Sequence, residues 1–242
     1  IQISTNGSDT CALLASAKVK CWGENYDQSI FSSRGHVLRP KDVPGLSDVK
    51  SISIGKLHLA LMKNGTVKSF DGIDSPRALP NLSSVKSIYS GFHPAACVIL
   101  KDNSAHCWGE NEFDYLSVGS SQDSTVQVRV PTPIQGLGKV KKIFMGSSVS
   151  ALTIMNRVFC WGNPNQLGDL YMIGGFNPVT EPTRVPGFDG VQDIHLTGQH
   201  SCAVLESGKV KCWGANNQGN LGIGKSGKWV NLPTLVPRLS IN

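Results

Sequence analysis

The fold of this 242-residue chain is decided by one stretch, SCAVLESGKVKCWG at residues 201–214. It holds two short runs of alternating apolar residues around a Gly-containing turn, which predicts a β-hairpin. Related stretches end in CWG at residues 21–23, 107–109 and 160–162, and a degenerate copy ends in SFDG at residues 69–72. The hairpin is therefore a repeat that occurs five times.

A Pro/Gly turn and a further apolar strand precede four of the hairpins, as in VPGLSDVKSISIG at residues 43–55. The aromatic residues of the successive CWG and SFDG stretches are 48, 38, 53 and 52 residues apart. The segment before the first of these aromatic residues and the segment after the last one together make one further period. A blade shared between the N- and C-termini would close a ring and leave no long exposed edge. We therefore expect an all-β, closed five-bladed β-propeller that forms a single domain over residues 1–242.

The best copy of the repeat is GQHSCAVLESGKVKCWGANNQGNLGIG at residues 198–224. It resembles the repeat of the regulator of chromosome condensation family in its Gly-x-x-His, turn glycine, Trp-Gly and Asn-x-x-Gly-x-Leu-Gly-x-Gly elements. The resemblance implies the propeller fold and, as that family's nuclear role, nucleotide exchange on a small GTPase together with nucleosome binding. It also explains residues 219–226, GNLGIGKS, which match a phosphate-binding P-loop although no helix start follows them.

Three pairs among the seven cysteines are ten residues apart, and each pair spans one predicted hairpin. Directly opposed residues of antiparallel strands lie within disulfide reach, so we expect the disulfides Cys11–Cys21, Cys97–Cys107 and Cys202–Cys212. The second copy lacks both partners and has Leu59 and Ser69 instead. Cys160 faces Ser150 and is expected to be a thiol outside the disulfides, either buried or linking two chains, so the protein is a monomer or a Cys160-linked dimer.

Disulfides are typical of an oxidising compartment, so we expect a secreted protein whose signal peptide has been removed. Possible N-glycosylation sites at Asn6, Asn64 and Asn81 agree with that location. No apolar run reaches transmembrane length. The net charge of +6 is compatible with anionic partners. However, the Lys and Arg residues are scattered, which favours a mixed solvated surface, and we expect no nucleic-acid partner.

The sequence has no catalytic motif, so we expect a protein that is not an enzyme and needs no metal or cofactor. Function should then lie in the segments that differ between repeats. Aromatic and Arg residues on such segments are candidate anchors for a protein partner, namely Tyr26, Phe31, Arg34, Phe113, Tyr115, Tyr171, Phe176 and Trp229. We expect a secreted module that binds a protein through one face of the propeller; a lectin-like carbohydrate binder and, less favoured, an exchange and chromatin-binding protein stay open as alternatives.

Overall fold

The computed structural model describes residues 1–24, 35–70, 76–91, 93–118, 127–146, 148–162, 179–196, 200–227 and 229–240. Within these residues, twenty β-strands form five four-stranded antiparallel sheets. We call these sheets the first to the fifth blade, in sequence order. The predicted all-β fold with five blades is confirmed.

One compact unit comprises residues 1–109 and 128–132 and is built from the first three blades. The first blade contains β1 (Gln2–Thr5), β2 (Asp9–Leu13), β3 (Val19–Glu24) and β4 (His36–Asp42). The second contains β5 (Val49–Ile54), β6 (His58–Met62), β7 (Val67–Ser69) and β8 (Arg77–Ala78). The third contains β9 (Val85–Ser90), β10 (Ala95–Leu100), β11 (Ala105–Glu110) and β12 (Gln127–Pro133).

The other compact unit comprises residues 110–127 and 133–242. It holds a short 3-10 helix (Glu112–Asp114) and the last two blades. The fourth blade contains β13 (Val140–Met145), β14 (Ser148–Thr153), β15 (Val158–Gly162) and β16 (Val179–Arg184). The fifth contains β17 (Val191–Leu196), β18 (His200–Leu205), β19 (Lys209–Gly214) and β20 (Val230–Ser240). In the described part of the chain, no helix is long and apolar enough to span a membrane.

The second and third strands of the blades pair in one common register, and this register brings the cysteines together. Cysteines lie directly opposite each other at Cys11–Cys21, Cys97–Cys107 and Cys202–Cys212. In each pair the sulfur atoms are bonded and the Cα atoms are 4.1 Å apart. The three predicted disulfides are thus confirmed, and they form because cross-strand neighbours in a hairpin are already within bonding reach.

The glycine after the signature tryptophan lies at a β-bulge. The pairing between the third and fourth strands shifts register just before Gly23, Gly162 and Gly214. Gly23 has a φ of 120°, and a Cβ atom on it would lie 2.3 Å from the carbonyl oxygen of Ser8. Only glycine fits this close approach, so the bulge requires a glycine at this position.

Within each unit, apolar side chains on facing sheets pack the blades against each other. Leu13 and Val19 of the first blade pack with Ile52, Ala60 and Phe70 of the second. We call the side of a blade that carries the Leu13 and Val19 positions its trailing face. The side that carries the Ile52, Ala60 and Phe70 positions is its leading face.

The second unit repeats this contact between blades. Leu152 and Val158 on the trailing face of the fourth blade pack with Ile194, Ala203 and Trp213 on the leading face of the fifth. Burial of these side chains accounts for most of the favourable free energy that holds neighbouring sheets together. The rule that a leading face packs on a trailing face therefore holds in both units.

The first strands of neighbouring blades are also joined by polar side chains. Gln2 Nε2 donates a hydrogen bond to the carbonyl oxygen of Ile52 (2.8 Å), and the Ile52 N–H donates to Gln2 Oε1 (3.0 Å). The Ile54 N–H donates to Ser4 Oγ at 3.0 Å. Because β5 is the terminal strand of its sheet, these side chains satisfy backbone groups that no further strand covers.

The prediction of one blade shared between the two chain ends is wrong. β1 pairs with β2 in the first blade, and β20 pairs with β19 in the fifth, so the terminal strands belong to different sheets. The aromatic residue that marks the sequence repeat lies inside the third strand, whereas each blade ends after its fourth strand. Closure of a ring and a single-domain organisation stay predictions from the sequence.

Candidate protein-binding site

The clearest pairing of potential catalytic groups is shut off from solvent. Asp9 Oδ2 lies 3.5 Å from His58 Nε2, and both side chains are buried. The His58 ring also packs edge-on against Phe70, with 5.6 Å between the ring centroids. This environment gives His58 a packing role. Across the residues with described positions, no cluster of three or more His, Cys, Asp or Glu side chains could hold a metal ion.

Residues 219–226, which match the P-loop motif, form a compact loop held by hydrogen bonds to the side chain of the buried Asn216. Asn216 Oδ1 accepts a hydrogen bond from the Leu221 N–H (3.2 Å), and Asn216 Nδ2 donates to the carbonyl oxygen of Lys225 (2.8 Å). The described residues that follow form no helix and enter the strand β20. A P-loop needs a helix N-terminus to hold phosphates, so the match to that motif is coincidental.

The tryptophans of the repeat signature are packing residues. Trp108, Trp161 and Trp213 are buried, and Phe188 packs edge-on against Trp213 with 4.6 Å between the ring centroids. Trp22 in the first blade is half-buried. Since the rings of Trp108, Trp161 and Trp213 are buried, they offer no stacking platform for a sugar ring.

Trp229 differs from the repeat tryptophans because it is 41% exposed. It stands immediately before β20, the outer strand of the fifth blade. Four of the ten exposed large apolar side chains in the described residues belong to this short region: Trp229, Leu232, Leu235 and Leu239. We call these four residues the Trp229 edge. Such a concentration of exposed apolar side chains is typical of an interaction surface.

The Asn216 loop anchors the chain that leads into the Trp229 edge. Leu221 is buried in a cluster with Cys212 and Val236. A Cβ atom on Gly222 would lie 3.4 Å from Val236 Cγ1, so the loop passes directly over β20. Trp229 therefore follows a loop that the buried Asn216 side chain holds in place, and it precedes a strand that is paired with β19. This arrangement lowers the conformational entropy that binding would cost.

β20 is the terminal strand of its sheet, and its outer side carries no further strand in the described structure. Such an edge can accept an added strand, but Pro233 and Pro237 remove two N–H donors from it. A continuous fifth strand is disfavoured for this reason. Recognition at the Trp229 edge is better suited to side-chain contacts than to backbone pairing.

The sequence interpretation missed Leu232, Leu235 and Leu239. The sequence segment at the end of each outer strand does indicate them. The fourth blade reads EPTRVP at residues 181–186, whereas the fifth reads LPTLVP at residues 232–237. Leucines thus replace a Glu and an Arg at positions on an outer strand. Apolar residues at exposed edge positions favour a binding role over a purely structural one.

The prediction that Tyr115 contacts a partner is wrong. Tyr115 is 3% exposed, its hydroxyl donates a hydrogen bond to the carbonyl oxygen of Gly146 (2.7 Å), and its own carbonyl accepts one from Trp161 Nε1 (3.0 Å). Burial raises the pKa of the Tyr115 phenol above its ordinary value. Tyr115 lies beside the short 3-10 helix and is part of the core. The sequence around it has no regular apolar pattern that would predict this burial.

Most of the other predicted anchors lie outside the described residues. These are Tyr26, Phe31, Arg34, Tyr171 and Phe176. Phe113 belongs to the 3-10 helix Glu112–Asp114, and its side chain is outside the described part. Their role in binding a partner stays a prediction.

The three possible glycosylation sites have different surroundings. Asn64 and Asn81 are exposed. Asn6 is half-buried, and its Nδ2 donates hydrogen bonds to the carbonyl oxygen of Gly55 (3.0 Å) and to Asp9 Oδ2 (3.2 Å). A glycan on Asn6 Nδ2 would replace one of its two hydrogens and so break at least one of these bonds, and the structure therefore disfavours that site.

Cys160 lies in the core of the fourth blade. Its side chain is fully buried, and its sulfur lies 2.7 Å from Ser150 Oγ in the cross-strand position where other blades carry a disulfide. The prediction that Cys160 could link two chains is therefore wrong, because a buried thiol cannot reach a partner's sulfur. The prediction that it stays outside the disulfides is confirmed.

Comparison with known proteins agrees with this architecture. Residues 191–220 match the family model for the regulator of chromosome condensation (RCC1) repeat. The human E3 ubiquitin-protein ligase HERC2 is 27% identical over 264 residues, which cover 99% of this chain and 5% of HERC2. This chain thus spans only a small part of that relative's length.

Two solved structures show the same fold. Prp20p from Saccharomyces cerevisiae, whose structure was described with its binding to Gsp1p and histones, aligns with a TM-score of 0.76 at 20% identity, over 98% of this chain and 63% of Prp20p. The ectodomain of the receptor kinase CR4 from Physcomitrella patens aligns with a TM-score of 0.54 at 20% identity, over 88% of this chain and 51% of that ectodomain.

Five four-stranded blades, a common hairpin register and buried signature tryptophans define an all-β repeat protein of the propeller class. The class has many functions, so the blades alone do not specify an activity. The fifth blade contains a repeat of the RCC1 type, and the chain is similar over most of its length to proteins that contain such repeats.

Proposed function

We propose that this chain is a non-enzymatic binding module that recognises a protein partner through the Trp229 edge. The observation that carries the proposal is the exposure of Trp229 and of three leucines on the strand that follows it, while Trp108, Trp161 and Trp213 are buried. Tryptophan is among the residues most enriched in the energetic centres of protein interfaces. A partially exposed tryptophan in an anchored loop is suited to this role.

The surroundings of the Trp229 edge indicate the chemistry of the partner. Lys209 and Lys225 are exposed near the two ends of the fifth blade's outer hairpin, and the chain has a net charge of +6. We propose a partner surface with an apolar patch and an acidic rim, since opposite charges at a rim accelerate association and fix orientation.

We further propose that the module works outside the cell. Three disulfides hold the hairpins of the first, third and fifth blades, and Cys11, Cys21, Cys97 and Cys107 are fully buried. Stable disulfides of this kind need an oxidising compartment. The fold is compatible with such a location, because the ectodomain of CR4 has it too.

The alternatives have weaker support. A lectin with a sugar site in each blade needs the same binding residues in every copy, but the fourth blade has Glu181 and Arg184 where the fifth has Leu232 and Leu235. Nucleotide exchange and chromatin binding rest on relatives such as Prp20p, whose 20% identity to this chain supports a common fold only.

Capture of a partner from the native extracellular fluid tests the proposal. The immobilised wild-type chain should retain a partner, and Trp229→Ala should weaken that complex by about 30-fold or more, the loss typical of an interface hot spot. The matched control is Met155→Ala, because Met155 is an exposed apolar residue on a different turn. Equal retention by wild type and Trp229→Ala would contradict the assignment of the site.

A further inference from the structure

We propose that the compact unit of residues 1–109 and 128–132 binds a sulfated polysaccharide at the end where its hairpin turns lie. Five exposed lysines at this end carry the proposal. We call them the lysine arc: Lys18, Lys50, Lys63, Lys86 and Lys101. The lysine arc belongs to the first three blades, so it is separate from the Trp229 edge of the fifth blade. The choice of a sulfated sugar as the ligand rests on the extracellular location proposed above.

Two repeated positions place four of these lysines at the same end of their sheets. Lys50 and Lys86 are the second residues of β5 and β9. Lys63 and Lys101 begin the turns that follow β6 and β10. In both blades the start of the first strand pairs with the end of the second strand, so both positions lie beside the hairpin turn. In the second blade, for example, the Lys63 N–H donates a hydrogen bond to the carbonyl oxygen of Asp48 at 2.9 Å.

A backbone hydrogen bond joins the turn of the first blade to the second blade. The Val49 N–H donates to the carbonyl oxygen of Ala17 at 3.1 Å. Lys18 is the next residue after Ala17. Lys50 is the next residue after Val49, so the backbones of the two lysines are neighbours although they are far apart in the sequence.

The same kind of contact continues from the second blade to the third. The Val85 N–H donates to the carbonyl oxygen of Gly65 at 3.0 Å, which places Lys86 beside the turn of the second blade. The Lys101 N–H donates to the carbonyl oxygen of Ser84 at 2.9 Å, so the turn of the third blade completes the arc. Lysines that look scattered over residues 18–101 of the sequence are thus brought together by the fold.

Carboxylates offset little of the positive charge of the lysine arc. Lys63 Nζ lies 3.6 Å from Asp48 Oδ1, but both side chains are more than half exposed, and such surface pairs are weak. Lys86 Nζ donates a hydrogen bond to the neutral Asn103 Oδ1 at 2.7 Å. Asp102, the other carboxylate of these turns, accepts hydrogen bonds from within its own turn. The remaining three lysines form no ion pair with any residue that the structure describes.

The repeat itself does not require lysine at these positions. The fifth blade has the same strand pairing, and it carries Gln192 and Glu206 at the two equivalent positions. A neutral and an acidic residue are therefore compatible with the blade. The lysines of the second and third blades are thus not needed for folding and are available for binding.

The arrangement of the lysine arc fits an extended polymer with repeated negative charges. Lysine ammonium groups act as separate point charges, and neighbouring sheets pack about 10 Å apart. Proteins that bind single-stranded nucleic acid add aromatic residues that stack on the bases. The turns at residues 14–18, 63–66 and 101–104 contain no aromatic residue. The disulfides favour an oxidising compartment, so a sulfated polysaccharide is the better match.

Binding of purified heparin, a sulfated polysaccharide, to the full chain tests the proposal. All proteins carry Asn64→Gln, because a glycan on Asn64 would lie in the same turn as Lys63. Calorimetry should detect a complex that weakens as NaCl rises from about 0.1 M to about 1 M, because the Debye length falls from about 10 Å to about 3 Å. Heparin from which the sulfates have been removed should bind at least about tenfold more weakly, because it has lost most of its negative charge.

A triple variant locates the binding surface. Lys50→Gln/Lys86→Gln/Lys101→Gln should bind heparin at least about tenfold more weakly than the parent protein. The three side chains are exposed, so this variant should fold normally, as circular dichroism would verify.

The matched control is Lys56→Gln/Arg77→Gln/Arg129→Gln, which removes the same charge from the same compact unit. These three residues are exposed, and they lie beyond the far end of β5 and on the outer strands β8 and β12. The control should bind heparin within about twofold of the parent protein, because screening leaves distant charges with little effect.

Three results would overturn the proposal. The first is a parent protein that does not bind heparin. The second is an equal loss of affinity in the two triple variants, because binding would then follow net charge and not the lysine arc. The third is tighter binding to duplex DNA than to heparin, which would assign the surface to a nucleic acid. Since the probes are purified polymers, none of these results depends on whether the Trp229 edge captures a protein.

Discussion

A fourth disulfide should form when Ser150 is replaced by cysteine. Ser150 lies directly opposite Cys160 in the register that joins Cys11 to Cys21, Cys97 to Cys107 and Cys202 to Cys212. Ser150 Oγ is 2.7 Å from Cys160 Sγ, and both residues are fully buried. Ser150→Cys therefore places two thiols within bonding reach without moving the backbone.

The expected gain follows from the length of the closed loop. The separation of ten residues matches that of the three existing disulfides, and a loop of this length stabilises the folded state by about 3 kcal/mol in the chain-entropy model. The lost contact between the Ser150 hydroxyl and the Cys160 thiol offsets about 1 kcal/mol. A net gain of about 2 kcal/mol raises the Tm of a chain of this size by about 4–8 °C.

Thermal unfolding of oxidised Ser150→Cys, with thiol titration in denaturant, measures this gain. The oxidised variant should have no titratable thiol, and it should unfold at a higher temperature than wild type. Ser150→Ala is the matched control, because it removes the hydroxyl without adding a thiol. If two thiols remain titratable after oxidation, the common hairpin register is wrong at the fourth blade.

Three further predictions concern single residues. Tyr115→Phe removes the hydrogen bond to Gly146 and should lower the free energy of unfolding in urea by about 1 kcal/mol. Because burial raises the pKa of Tyr115 in the folded state, the stability that its neutral phenol contributes is complete below the unfolded tyrosine pKa of about 10 and is lost as pH rises above it, which phenolate absorbance can follow. Asn216→Ala removes two hydrogen bonds within its loop and should lower the free energy of unfolding by about 2 kcal/mol. Because that loop is not followed by a helix, calorimetry should detect no binding of ATP or GTP to the wild type. Glycopeptide mass spectrometry of the protein expressed through a eukaryotic secretory pathway should find a glycan on Asn64 and none on Asn6. A glycan on Asn6 would contradict the hydrogen bonds of its amide.

The blades and disulfides could be predicted from the sequence because they depend on local patterns. Alternating apolar residues around a turn specify a hairpin, and the spacing of ten residues between Cys202 and Cys212 specifies cross-strand neighbours. Five copies of the pattern add information, since a pair such as Leu59 and Ser69 shows that both cysteines are lost together. Each copy is in effect an independent observation of the same local structure.

Features that depend on contacts between distant residues were not predicted. The blade boundary requires knowledge of which sheet the outer strand joins, and periodicity does not contain it. Tyr115 is an aromatic residue in an irregular segment. Only its hydrogen bonds with the carbonyl group of Gly146 and the indole of Trp161 identify it as a core residue. Leu232 and Leu235 look like ordinary strand residues until the sheet order shows that their strand is an edge.

The most direct test of the proposed binding function is photo-crosslinking from position 229. Trp229 is replaced by a photoreactive benzophenone amino acid, the protein is irradiated in extracellular fluid, the location proposed above, and adducts are identified by mass spectrometry. A variant with the same amino acid in place of Met155, on a different exposed turn, is the control. We expect one predominant protein adduct at position 229 that is missing from the control. No adduct at position 229, or the same adducts at both positions, would contradict recognition of a protein partner through the Trp229 edge.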